Sequence, residues 1–407
     1  MKSGFARFAC CGVLAVALQT LALAQSPVQS LASKNNDGAS KVATVDSSAA
    51  QGLGTAQNLV SAREYRPPEG IKFKAADFLS ENVRLTAQWF YTAENEGRKL
   101  PTILIAHGWG GTAASLRQDA IDLARTGYLV MLFDYRGWGD SNGRVMLTSR
   151  QPITAGVGAG EKTFTAVVRE LRGYIDPWEQ VDDWFNAINY AVTAPMVDAE
   201  RIGVLGSDLS GGHVIYVTAH EPRVKALVSE VSNVDTRPYK PYQSDPARVI
   251  AQANAAASRI AAGQEQYPAE LVRTGARVGA PVGANVVRWA PVELASKVTA
   301  PALFVLAENE ELFSNTNNGQ LACERVTGPR KMVMLPNITH YGIYDAERKR
   351  AITLAIEWFD KYVKSPIKSK EPERGECSPF PEPPMGEENE DGSGEGHKAP
   401  DASARWN

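Results

Sequence analysis

The stretch Arg201-Ile202-Gly203-Val204-Leu205-Gly206-Ser207-Asp208-Leu209-Ser210-Gly211-Gly212 decides how the rest of this chain is read. Ile202 to Leu205 is a short apolar run of the kind a buried strand supplies, and small residues then crowd a turn that leads into a helical segment. A strand that bends sharply into a helix exposes the side chain at the bend and aims it at the positive end of the helix dipole. Gly206 stands two places before the bend, and the pair Gly211-Gly212 lets helix and strand approach closely, so the tip residue is Asp208. A carboxylate in the place where a hydroxyl is expected decides which reactions are available.

Three other strand ends give this turn its context. Thr102 to Ala106 is continuously apolar, as in a parallel strand buried on both faces, and runs into His107-Gly108-Trp109-Gly110-Gly111, which reads as an oxyanion-hole loop. Ala302 to Leu306 runs into Ala307-Glu308-Asn309-Glu310-Glu311, and Lys331 to Leu335 runs into Pro336-Asn337-Ile338-Thr339-His340-Tyr341-Gly342. The order is nucleophile, acid, histidine, each just past the C-terminal end of a strand, the edge where open α/β sheets hold their ligands. This arrangement resembles the α/β-hydrolase fold over residues 71–363. Residues 176–184, 206–217 and 223–228 resemble, more narrowly, the dienelactone-hydrolase and peptidase-related branch. The resemblance implies an α/β protein with a mostly parallel sheet, helices on both faces and a cap insertion. It also implies Ser, or sometimes Cys, at the tip, and Asp208 departs from that.

The 407 residues, 43% of them hydrophobic, are ample for one catalytic domain, assigned to residues 66–364, but the two ends are not of globular composition. Lys2 and Arg7 precede an apolar run from Cys11 to Leu23, and Ala22-Leu23-Ala24 is a small-x-small cleavage pattern before Gln25. Residues 1–24 therefore read as a signal peptide, and the mature protein as secreted or periplasmic. A membrane anchor is the alternative, but the run is shorter than the roughly 20 residues of a span. Cys10 and Cys11 stand at the front of the run rather than after it, which argues against a lipoprotein site. Residues 25–65, rich in Ser, Ala, Gln and Gly, read as a flexible leader, and residues 365–407 as a disordered acidic, Pro-rich tail. Export leaves Cys323 and Cys377, which are either a disulfide stapling the tail to the domain or two separate thiols. No Cys or His cluster has metal-ligand spacing, and no cofactor is implied. A net charge of −3 gives no electrostatic case for nucleic acid or an anionic membrane as partner. The expected partner is a small-molecule substrate; oligomeric state is not legible.

Helix and strand signals alternate inside the domain. Residues 73–91 read as an antiparallel pair, with Arg84 to Phe90 alternating. Asp176-Pro177 is an N-cap followed by proline at the first helical position, with Trp178, Val181, Phe185, Ile188 and Val192 on one face; Ile352, Ile356, Phe359 and Val363 line the closing helix. Asp134 to Ser141 reads as a structural turn with Arg136 tied into loop hydrogen bonds, followed by an extra helix around residues 162–173. The larger insertion, residues 234–298, opens with Arg237-Pro238-Tyr239-Lys240-Pro241-Tyr242, continues into an alanine-rich helix near residues 247–262, and is the expected cap.

A serine at the tip needs a histidine base and attacks a carbonyl. An aspartate is ordinarily ionised at neutral pH and needs none. It displaces a leaving group at saturated carbon, giving an alkyl-enzyme ester that a water activated by His340 hydrolyses. This is the division of labour implied by resemblance to epoxide hydrolases and haloalkane dehalogenases. Attack on an ester would instead form a high-energy anhydride. Glu310 is the expected acid, with Glu308, Glu311 and Glu230 as alternatives, and the oxyanion donors are the N–H groups of Trp109 and Leu209. Of five histidines His340 alone follows the last strand; His213 reads as packing and His397 lies in the tail. Tyr239 and Tyr242 are candidate acids for a leaving oxygen, and Trp109 or Trp138 candidate donors to a halide. The missing Trp directly after the nucleophile, where Leu209 stands, tilts the reading toward epoxides. Two other readings stand beside it. One is an esterase or lactonase in which Asp208 activates water or Ser207 or Ser210 substitutes. The other is a non-catalytic binding protein whose Asp208 pairs with His340.

Overall fold

A computed structural model of the chain describes residues 60–148, 164–240, 243–265, 267, 279–364 and 377. Strands β1 (Ile71–Ser80) and β2 (Val83–Thr92) form the expected antiparallel hairpin, closed by Glu81 and Asn82, both at positive φ, as a two-residue turn between right-twisted strands requires. β2 pairs antiparallel with β4 (Leu129–Phe133), and from there the sheet is parallel. Its order is β1-β2-β4-β3-β8-β9-β11-β12, with β3 Leu100–Ala106, β8 Val197–Ser207, β9 Val224–Glu230, β11 Ala302–Ala307 and β12 Arg330–Leu335. β3, β4 and β11 are buried along their whole length because both faces of the sheet are covered. Ile103, Ile105, Val228 and Val305 pack under helices α1 (Arg117–Arg125) and α7 (Arg348–Phe359). Leu104, Val204, Leu227 and Phe304 pack on the other face, under α2 (Pro177–Ala191), α3 (Leu209–Thr218) and α6 (Gly319–Arg325). Among the described residues no helix is long and apolar enough to cross a membrane.

The Asp176 side chain accepts the Trp178 N–H at 3.1 Å and caps α2, a bond worth about 1 kcal/mol. The buried seam of α2 runs through Val181, Trp184 and Ile188, with Trp178 more exposed than the spacing suggests. The Asp134–Ser141 turn is held as expected. Arg136 lies buried, with its guanidinium on Asp183 at 2.7 and 2.9 Å.

Several expected boundaries shift. Ala62 and Tyr65 are buried, with Tyr65 edge-on to Phe73 at 5.0 Å and beneath the Arg117 guanidinium at 4.2 Å, so the ordered chain starts before residue 66. In place of a helix over residues 162–173, Val168–Glu170 is a strand, β6, antiparallel to β5 (Val145–Leu147). Two β-branched residues followed by alternation suit a ribbon better than a helix. The 234–298 insertion holds the alanine-rich helix α4 (Pro246–Ala261), strand β10 (Ala280–Pro281) paired with β7 (Tyr174–Ile175), and α5 (Gly283–Val286). Its last part is not a cap: Trp289, Val292, Ala295 and Val298 are fully buried in the domain core, where apolar residues gain more than in a lid. Cys323 and Cys377 form a disulfide, Cα to Cα 5.9 Å. The signal segment, the leader up to residue 59, Tyr242 and the tail apart from Cys377 lie outside the described residues.

Candidate active site

β8 ends at Ser207 and α3 begins at Leu209, so Asp208 alone makes the bend. Its φ of 54° and ψ of −123° lie in a region a residue with a Cβ rarely adopts. The surroundings hold it there. Its N–H donates to the Glu230 carbonyl at 2.9 Å, and its carbonyl accepts the N–H groups of Gly211 and Asn233, each at 3.0 Å. A Cβ on Gly206 would overlap the carbonyl of Ser210, so the bend requires glycine there. Ser207 and Ser210 are buried, with the Ser210 hydroxyl 2.9 Å from the Tyr135 hydroxyl. Neither serine takes the tip.

Four strand ends meet at this carboxylate. Asp208 Oδ2 accepts the backbone N–H of Trp109 at 2.8 Å, so the loop after β3 holds one oxygen of the tip residue. Gly108 makes this approach possible, since a Cβ there would stand 2.8 Å from the Asp208 Cβ. The other oxygen, Oδ1, lies 4.0 Å from His340 Nε2. On the far side of the ring, Nδ1 meets Glu310 at 2.9 and 3.1 Å; opposite a carboxylate, Nδ1 carries the proton and donates. Glu310 is fixed by the Leu312 N–H at 3.0 Å. Glu311 accepts the backbone N–H of His340 at 2.7 Å, and Glu308 that of Asn337 at 2.8 Å, so these two hold the histidine loop and not the ring. Glu230 sits behind the elbow, in a cavity it shares with Leu205, Tyr344 and Arg348.

The His340 ring is almost wholly buried, and burial works against its charged form. The Glu310 hydrogen bond and the charges of Asp208, Glu310 and Glu311 outweigh that and raise its pKa above the ordinary histidine value. The ring therefore keeps its proton to higher pH than an ordinary histidine does. His107, buried at the start of the oxyanion loop with only a backbone bond in its favour, moves the other way, to about 4.

The remaining candidates fall at different depths. Leu209 opens α3, and its N–H is one of the first of the helix, which the helix itself leaves unpaired. The Tyr239 hydroxyl stands 3.4 Å from both the Ser314 N–H and the Asn318 amide, beside Phe313, whose ring is edge-on to His340 at 5.5 Å. Trp138 does not face a substrate: it is buried, its indole N–H donates to the Tyr174 carbonyl at 2.8 Å, and a backbone acceptor that close keeps it there. Tyr242 is outside the described residues. The sequence reading omitted Phe313, Tyr341 and Tyr344, which surround the His340 ring. Tyr341 and Tyr344, one and four places after the histidine, were the available signal. Among the described residues no group of three or more His, Cys, Asp or Glu could hold a metal.

The α/β hydrolase GrgF from Penicillium superposes on 72% of this chain and 99% of its own, with a TM-score of 0.55 at 14% identity. The chain has the α/β-hydrolase fold. Within it, residues 81–277 match the X-Pro dipeptidyl-peptidase (S15) family. An uncharacterized 31.7 kDa Escherichia coli protein from the traX-finO intergenic region is 24% identical over 314 residues, 70% of this chain and 98% of its own. The quorum-quenching protein AidA of Acinetobacter baumannii is 32% identical over 136 residues, 33% of this hydrolase-fold chain and 36% of its own.

Proposed function

We propose that this α/β hydrolase uses Asp208 as a covalent nucleophile toward an electrophilic saturated carbon, with an epoxide as the favoured substrate class. The observation that carries this reading is the division of the Asp208 carboxylate: Oδ2 rests on the Trp109 N–H while Oδ1 faces His340 across 4.0 Å. Attack by Oδ1 forms a carbon–oxygen bond as the carbon–leaving-group bond breaks, with the electron pair passing to the leaving atom. The Asp208 side chain is then an ester whose carbonyl oxygen, Oδ2, already sits on an oxyanion donor. His340 Nε2 takes a proton from water as its oxygen adds to the ester carbon, and collapse expels Oδ1 with the alkyl group, which leaves as the alcohol on taking that proton back from His340, while the water oxygen restores the Asp208 carboxylate.

The electrostatics suit two steps of opposite demand. While Asp208 is charged it helps keep His340 protonated; alkylation removes that charge, so the ring's proton passes to the oxygen of the opened epoxide and the neutral ring is the base when water must be activated. Acyl transfer is poorly served, because no serine stands at the tip and the Trp109 donor is taken by the tip residue's own oxygen. The commitment of Trp138 to Tyr174 removes one of the two indoles considered for a halide. Tyr239, whose hydroxyl stands 3.4 Å from the Ser314 N–H, is the candidate acid for an epoxide oxygen. Export is supported by the N-terminal pattern together with the Cys323–Cys377 bond, which belongs in an oxidising compartment.

The test is intact-protein mass spectrometry of the His340→Gln variant with styrene oxide. The histidine acts as a base only in the second step, and loss of a general base slows such a step by about 10² to 10⁴, so an adduct of the epoxide's mass is expected on Asp208. Turnover of styrene oxide by Asp208→Asn, or of aryl esters equally by both proteins, would replace this reading with the esterase one.

A further inference from the structure

Glu230 is the last residue of β9, and its carbonyl already belongs to the site, since it accepts the Asp208 N–H at 2.9 Å. Its side chain lines a cavity of about 10 Å³ beneath the elbow, room for one water molecule. The polar wall of that cavity comes from four elements: Glu230 itself, Asp119 from α1, Tyr344 from the turn that begins at His340, and Arg348 from α7. The rest of the lining is aliphatic.

The charges in this cluster do not balance. Arg348 donates to Asp119 at 2.5 Å and to Asp122 at 3.0 Å, so the one guanidinium of the lining already serves two aspartates. A charged Glu230 would be a third carboxylate on one cation, in a space with room for at most one water to screen it. Burial, reinforced by the charge of Asp119 and opposed by Arg348, pushes Glu230 up to about 8. The cluster also touches the catalytic residues from behind. Ser207, the neighbour of Asp208, pairs with Glu230 across β8 and β9, and the Tyr344 ring lies 6.1 Å from that of His340.

We infer that Glu230 is a positioning residue acting from behind the elbow: as an uncharged acid it leaves Tyr344 and Ser207 in place, and once ionised it disturbs both and with them the Asp208–His340 pair. The groups that face it are Asp119, with Asp122 behind it, on α1, Arg348 on α7, Tyr344 on the histidine turn and Asp208 beyond Ser207. The inference concerns the support of the elbow and holds whichever carbon Asp208 attacks. Its consequence is an alkaline limit on the active site set by a glutamate that never meets substrate.

The experiment is an NMR pH titration of the His340 ring in the full-length protein, with histidine labelled and His340→Gln used for assignment, so no substrate enters. In wild type the His340 signal should show, besides its own titration, a second inflection near pH 8. Glu230→Gln, which keeps the shape of the uncharged acid, should abolish that inflection and leave the first. Asp119→Asn should move it to lower pH, because the charge of Asp119 raises Glu230; this second variant keeps the inference testable if the first does not fold. A single inflection in wild type, or a second one that survives Glu230→Gln or ignores Asp119→Asn, overturns it.

Discussion

Asp208→Asn is the substitution that most directly examines the charge logic of this site. The variant side chain keeps its volume and an oxygen for the Trp109 N–H, so the 2.8 Å contact can persist while the charge disappears. Two unit charges at the observed 4.0 Å interact by about 4 kcal/mol at an effective dielectric constant near 20. Since 1.36 kcal/mol is a factor of ten in a protonation ratio, loss of the charge raises the ratio of imidazole to imidazolium at fixed pH by about a thousandfold at most. Solvent takes part of that, because 13% of the Asp208 side chain is exposed, and a tenfold change remains the working minimum. The sign follows from the geometry. Asp208 favours the protonated ring, so without its charge His340 must lose its proton at lower pH. The assay is a histidine-labelled NMR titration of wild type and variant side by side. The same charge loss accompanies alkylation in the proposed cycle, so the result bears on mechanism. The measurement also carries a stability signature: a histidine whose folded pKa is raised stabilises the fold below its unfolded value, and loses that contribution as pH rises through the folded one. Asp208→Asn should therefore lower acid-side stability relative to neutral. A His340 midpoint that stays in place or rises in the variant refutes the reasoning.

Two further outcomes follow from the fold. Cys377→Ser opens a loop with a sequence separation of 54 residues, for which chain entropy gives about 4 kcal/mol at 25 °C, and urea unfolding of wild type against variant should show most of it. A difference under about 1 kcal/mol would mean that the unfolded chain gains little freedom from the cut. Gly206→Ala drives a methyl group into the Ser210 carbonyl, a backbone clash that no rotamer relieves; about 1 to 3 kcal/mol of thermal stability and the adduct-forming ability of the His340→Gln background should go together. If the double variant still forms the adduct at the parent rate, the elbow is softer than its contacts indicate.

The parts of this protein legible in its sequence are those whose physics is local. A short continuous apolar run bounded by turn residues suits a strand covered on both sides, and small residues around an acid at its end suit a sharp bend, so β3, β8, β11 and the elbow stand out without a structure. Asp208, Glu310 and His340 follow because each sits one turn past such a strand, and the structure brings the three side chains together. What stayed hidden depends on partners distant in sequence. Nothing near Trp138 announces that the Tyr174 carbonyl, 36 residues away, takes its N–H. Trp289 to Val298 read as part of a lid because they end the insertion between two strands where the resembling enzymes carry a cap, yet their apolar spacing fills the core beneath α3. Tyr65 read as leader, although an aromatic next to Arg117, Phe73 and Phe90 has more to gain from burial than a flexible segment has from entropy. The carboxylate on the oxyanion donor was likewise out of reach, since it requires β3 and β8 to lie side by side.

The same geometry bears on whether the site is a worn-out remnant that merely pairs an acid with a histidine. Such a remnant has no use for strain. Here a residue with a Cβ is kept at φ 54°, a conformation whose cost is of order 1 to 3 kcal/mol, where glycine would relax it. A buried imidazole is kept in reach of three carboxylates, an arrangement that an apolar pair would replace at no loss of stability. Nor is the pairing itself well made, for 4.0 Å between Nε2 and Oδ1 is too long for a hydrogen bond, while Glu310 meets the other nitrogen at 2.9 Å. A structural ion pair would close that gap. A nucleophile and a base that act in succession on a substrate and then on water must leave it open, with one oxygen of the acid held aside for the ester carbonyl. The strain, the buried charge and the gap are all unfavourable for a passive fold, and all three suit the proposed reaction, in which Asp208 first bonds to carbon and His340 then delivers water to the resulting ester.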